Sequence, residues 1–198
     1  MMRQLGRLSV VGVVFLLLAV PAFTQQDEMV ANPFYKFWAA SKLGATASHL
    51  EITKLSGPEG KVVPDGIDEK HITYKLVELD DKRAVVEMVV TEQDFLGYVQ
   101  AAPTRYIYPA KLKKSHLERI LVDAGKPGED TVKVGDMAIK CKTVSGTVKA
   151  PGGELVDYKL WLSDEVPGSI VKHIRTAKQK GDVFAETTTT LKSFKKAN

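Results

Sequence analysis

The chain has 198 residues, with 28 Lys and Arg against 24 Asp and Glu, four His and one Cys. A charge balance this even, with lysines spread along the chain, argues against a nucleic-acid partner, whose footprint is a concentrated basic patch. A single cysteine excludes an intramolecular disulfide, so stability has to come from packing.

The first 22 residues read as a secretory signal peptide. Arg3 and Arg7 form a basic start, Leu8 to Val20 an apolar run, and the small residues around Ala22 a cleavage region, with processing after Ala22 or after Thr24. The apolar run is shorter than the ~20 residues of a spanning helix, and the polar "TQQDE" that follows favours processing over an uncleaved anchor. No Cys lies near the cleavage region, which argues against a lipidated N-terminus. The expectation is export to the periplasm or the extracellular space, with no membrane span left after removal of residues 1–22. Residues 23–198 then form one β-rich domain, and the loss of Arg3 and Arg7 brings the balance to 26 basic against 24 acidic residues.

"NPFYKFWAASKLG" (Asn32 to Gly44) is the one clear helical stretch. Asn32 suits the N-cap and Pro33 the first helical position, where a missing N–H costs nothing. Phe34, Phe37 and Trp38 recur at helical spacing, and Gly44 is a stop, so the helix is expected over about 33–42. Ten residues are too few to hold a helix in water, and the aromatic face must dock on something.

Beyond Gly44 the apolar period changes to two. Strands are expected at Ala45–Leu55, Lys70–Leu79 and Arg83–Glu92, with "SGPEGKVVPDG" a loop and "DDK" a hairpin turn. Pro103 and Pro109 put the next stretch at an edge or in a connection. From 118 onward, turns at Gly135-Asp136, "PGG", "SDEVPG" and "QKGD" separate strands of similar length, which is the pattern of an antiparallel meander. Eight to ten strands are more than one flat sheet carries without curling. The fold expected is therefore mainly β (α+β), a long curved antiparallel meander or half-barrel packed on one short N-terminal helix. A closed barrel with the helix as its plug is the alternative.

Motifs of catalysis are absent: there is no GxSxG elbow, Walker loop or GxGxxG fingerprint. His49, His71, His116 and His173 show no metal-ligand spacing, and neither a metal nor a cofactor is expected. Cys141 shares a strand face with Ile139 and Thr143, opposite Lys140 and Lys142, and reads as a buried structural thiol. Ser163, Asp164, Glu165 and His173 are residue types of a hydrolase, but "SDEVPG" is turn chemistry, and a regular hairpin would hold His173 away from Ser163. No catalytic residue is assigned. Aromatic residues carry the alternative: Phe34, Phe37, Trp38 and Trp161 are candidates to line a ligand cavity between helix and sheet, or else are ordinary core.

A signal peptide, an early helix "NPFYKFWAASKLG" and a strand-turn-strand "VDYKLWLSDEVPGSIVKHI" make the chain resemble the half-barrel carrier proteins of the bacterial envelope. These are the outer-membrane lipoprotein carrier and receptor proteins and their mycobacterial lipid-binding relatives. The chain is similar, too, to small secreted β-rich bacterial proteins of no assigned activity. The carrier resemblance implies a curved sheet enclosing an apolar cavity for acyl chains. The expected function is an exported, non-enzymatic binding module for an apolar or lipid-like ligand, or one docking an envelope protein. The alternatives are a structural or protein-interaction domain with a solid core and, behind it, a secreted hydrolase.

Overall fold

The computed structural model of the chain describes residues 28–56, 62–94, 97–118, 121–124, 127–149, 154–179 and 182–197; the stretch read as a signal peptide lies outside them. The first strand, β1 (Met29–Ala31), leads directly into helix α1 (Pro33–Ala39). As the sequence predicts, Asn32 caps α1. Its Oδ1 accepts from the Phe34 N–H at 3.0 Å, and Pro33 takes the first turn. The cap does more than local work, because Asn32 Nδ2 donates to the Pro109 carbonyl at 2.8 Å and its backbone N–H to the Ala110 carbonyl at 3.0 Å. Asn32→Ala is expected to cost about 2 kcal/mol, the lost cap plus a carbonyl left short of a donor. Asn32→Asp, which keeps the cap but not the Pro109 bond, should fall between. Urea midpoints check both; a cost below about 0.5 kcal/mol for the alanine variant would mean that the aromatic residues alone hold α1 in place.

The helix ends at Ala39, not near residue 42. The Ser41 N–H turns back to the Trp38 carbonyl at 2.9 Å, and Gly44, at φ +85°, gives its N–H to the Leu76 carbonyl. Capture by the neighbouring strand peels the chain away from the helix before its local sequence would end it.

Strand β2 (Thr46–Ser56) pairs with β3 (Val62–Leu79), and β3 with β4 (Arg83–Asp94). β3 begins well inside the segment read as a loop. Two short strands, β5 (Gly97–Gln100) and β6 (Thr104–Pro109), pair with successive parts of β4. β7 (Lys111–Lys113) pairs with β1 in a separate two-stranded sheet, and a second helix, α2 (Lys114–Glu118), follows; no residue pattern announced any of β1, β7 or α2. The second half continues through β8 (Leu121–Ala124), β9 (Gly128–Val134), β10 (Met137–Lys149), β11 (Leu155–Leu162), β12 (Ile170–Gln179) and β13 (Asp182–Lys195). These run as a meander from β9 to β13, with β8 on the outer side of β10. β13 then pairs back with β2 from Ala185–Leu55 to Lys195–Thr46, which joins the two meanders into one antiparallel sheet of eleven strands.

That sheet is curved but open. β9 and β13, with three strands between them, would stand ~19 Å apart in a flat sheet, yet they touch. Register shifts in six of the strand pairs supply the bend. Among the described residues the two edges do not pair with each other, so the sheet does not close into a barrel.

Two apolar clusters result. One gathers Ala47, Val134, Ile139, Cys141, Trp161, Val166, Val171 and Leu191, where the β9–β10 hairpin reaches over toward β13. The other packs Trp38 of α1 on Leu76, Ala84 and Val86. Cys141, Ile139 and Thr143 are buried together while Lys140 and Lys142 are exposed, as the alternation predicts. Burial pushes the Cys141 thiol up, away from the thiolate form that reactivity requires. Among the described residues no helix is long and apolar enough to cross a membrane.

Candidate ligand-binding site

Helix α1 lies over one face of the sheet and leaves a cleft of about 200 Å³ beside it. Its upper wall is aromatic. Phe34, half exposed, stacks on Tyr108 of β6 with ring centroids 5.9 Å apart and meets Phe37 edge-on at 6.1 Å. Trp38 closes the inner end, and Tyr74 of β3 stands opposite, edge-on to His49 at 5.7 Å. Three of the four residues singled out in the sequence, Phe34, Phe37 and Trp38, therefore line one cavity.

Trp161 does not line it. Its ring sits in the other apolar cluster, its Nε1 donates to Asp130 at 2.8 Å, and the ammonium groups of Lys159 and Lys172 lie 4.7 and 5.0 Å from its centroid. That indole bond, with the Thr131 N–H behind it, holds the Asp130 carboxyl below the usual carboxylate range. All three polar partners of the ring are already on the protein, so its place is structural.

The lower wall of the cleft is polar and comes from strands far apart in the chain. Glu51 of β2 accepts from Arg175 Nη2 of β12 and from Thr189 Oγ1 of β13, both at 3.0 Å and both on Oε2. His173 lies two residues before Arg175 on the same strand face, and burial followed by the nearby guanidinium brings its imidazole down to about 4. Its side chain makes no hydrogen bond among the described residues. His49 is buried deeper. Its Nε2 lies 2.9 Å from the Ile170 carbonyl, so the proton sits on Nε2 and Nδ1 is left as an acceptor without a partner. Burial lowers its pKa as well, with the Ile170 bond opposing. Tyr74 is pushed up to about 12, first by burial and then by Glu51, and Tyr108 is raised by burial.

The end wall is the β11–β12 turn, residues 163–169. Its backbone is paired internally: Ser163 N–H to Ser169 O and Ser169 N–H to Val166 O, each at 2.8 Å, which lowers the cost of burying Val166 to Ser169. Gly168 at φ +75° and Ser169 at φ +58° turn the chain in the left-handed region and bring it under α1. A Cβ on Gly168 would stand 2.7 Å from Trp38 Cζ2. Val166 of the same turn packs in the other cluster, so these few residues tie both apolar clusters together.

The hydrolase constellation does not assemble. His173 pairs with Leu160 and faces the cleft, while Ser163, Asp164 and Glu165 line a separate open hollow with Glu129, Asp130 and Lys140. Among the described residues no three His, Cys, Asp or Glu come together as a metal site. No protein-family model matches the chain, and no curated protein matches it in sequence.

Proposed function

We propose that the protein is a non-enzymatic binding module that takes a small apolar or lipid-like ligand in the cleft under α1, working as an exported protein of the bacterial envelope. The observation that carries this is the cleft beside Trp38, walled by five aromatic rings and left unfilled by the protein's own side chains. Typical ligand pockets run to ~300–1,000 Å³, so about 200 Å³ suits one short chain or one ring and not a whole lipid. Export rests on the residue pattern of positions 1–22.

Native mass spectrometry of the full chain, purified from the expressing cell, tests the reading. A retained small molecule is expected, and Phe34→Ala, at a half-exposed position of the cleft wall, should weaken octanol binding roughly fivefold to tenfold through the loss of one aromatic contact. A second reading, protein interaction through the sheet edge, draws on Tyr98, Val99 and Ile107, all exposed on β5 and β6. It predicts a retained polypeptide in place of a small molecule. Absence of any retained mass together with no saturable octanol binding would remove the first reading.

A further inference from the structure

The polar wall of the cleft says what kind of head group its ligand carries, on the reading that the cleft is a ligand site. β2 contributes Glu51 and His49, β12 contributes His173 and Arg175, β3 Tyr74, β6 Tyr108 and β13 Thr189; α1 and the 163–169 turn contribute no charge, since Lys36 does not line the cleft. Glu51 and Arg175 are paired at 3.0 Å, and the same Glu51 oxygen also takes the Thr189 hydroxyl. The two charges of the cleft therefore answer each other. The imidazole His173 presents no charge near neutral pH and has no hydrogen-bond partner among the described residues. Burial and protonation keep both tyrosines neutral as well.

From this balance we infer that the cleft is built for an uncharged amphiphile, an apolar chain or ring under Phe34, Phe37 and Tyr108 carrying a hydroxyl that hydrogen-bonds His173. A neutral imidazole offers one donor and one acceptor, and a hydroxyl matches either. A carboxylate head would lie beside the Glu51 carboxylate with the one guanidinium of the cleft already paired to it, and an ammonium head would lie beside Arg175 with the one carboxylate already shared. Each head group would meet a like charge whose countercharge is already engaged, and the lower exposure of Glu51, 18% against 44% for Arg175, makes the carboxylate the less favourable of the two. A free fatty acid, the simplest apolar ligand of a lipid carrier, is thus the one the cleft discriminates against.

Calorimetric titration of the full chain with octanol, octanoate and octylamine at neutral pH separates these cases. Octanol is expected to bind at least about tenfold more tightly than either ion. Glu51→Gln, which keeps an acceptor for Thr189 and frees the Arg175 charge, should raise octanoate affinity at least about tenfold relative to that for octanol. Arg175→Gln should do the same for octylamine, so the test does not depend on one variant folding. Octanoate binding as tightly as octanol to the unmodified chain, or no exchange of preference in either folded variant, overturns the uncharged-ligand inference and leaves the cleft as a ligand site. Failure of all three probes to bind removes the ligand site itself, and this inference with it.

Discussion

Gly168→Ala is expected to destabilise the fold by about 3 kcal/mol and to disturb the cleft. Two costs add. The left-handed backbone at φ +75° costs a residue with a Cβ ~1–2 kcal/mol. The new methyl would also stand 2.7 and 3.0 Å from Trp38 Cζ2 and Cε2, an overpacked contact worth ~1–3 kcal/mol. Neither side yields easily, since Trp38 is held by Leu76, Ala84 and Val86 and the turn by its own hydrogen bonds. Gly135→Ala is the matched control. That glycine has φ +57° but open space around its Cβ position, so only the backbone cost of ~1 kcal/mol applies. Urea denaturation of both variants measures the difference. Equal losses would mean that the β11–β12 turn does not rest on Trp38.

Acid should weaken the fold in a window set by the cleft histidine. His173 titrates at about 4 in the folded chain against 6.5 for the ordinary imidazole, so on acidification the unfolded chain takes up the proton first. Stability from the neutral imidazole is fully present above about pH 6.5 and is lost as pH falls toward about 4, a total of roughly 3 kcal/mol. His49 acts in the same direction. The carboxyls of Asp80, Asp130 and Asp157, each held below 3.8, lose their contributions only at lower pH and leave the histidine window distinct. In His173→Gln the fall between about pH 6.5 and about pH 4 should shrink by most of that amount. A variant whose urea midpoints track those of the parent across this range would show that His173 is not buried in neutral form.

These two effects meet at a stretch whose local form the residues announce. "SDEVPG" is a turn, as its composition predicts, and His173 is held apart from Ser163 by the hairpin register. The burial of the turn is another matter. A Pro-Gly bend at a strand end is ordinarily solvated, and nothing local says that Gly168 will lie under the indole of Trp38. Helix α1 divides the same way. Its start is written in Asn32 and Pro33, which satisfy the first turn from within, but its end is decided by Leu76, which takes the Gly44 N–H from another strand.

The cleft was half legible. Phe34, Phe37 and Trp38 stand out because helical spacing puts them on one face and a short helix must bury that face. The facing polar wall left only a faint trace, the matched patterns His49-Leu50-Glu51 and His173-Ile174-Arg175, each a polar pair at period two. Joining them requires the pairing of β2 with β13 and of β13 with β12. Glu51 meets Arg175 across 124 residues and Thr189 across 138. Trp161, as conspicuous in the sequence as Trp38, went to the other cluster because its strand pairs directly with β10, one strand from β9, where Asp130 and two lysines complete its surroundings.

Local chemistry by itself thus determined the mainly-β class, most strand faces, the capped start of the helix and the turns, because each depends on residues within a few positions of one another. Tertiary structure alone decided that β2 and β13 pair, how far the sheet curls, and that a balanced Glu51–Arg175 pair faces an aromatic wall. Those outcomes depend on contacts between residues far apart in the chain, 124 positions for Glu51 and Arg175, whose register is set by the packing of the whole sheet and leaves almost no mark on any short stretch of sequence.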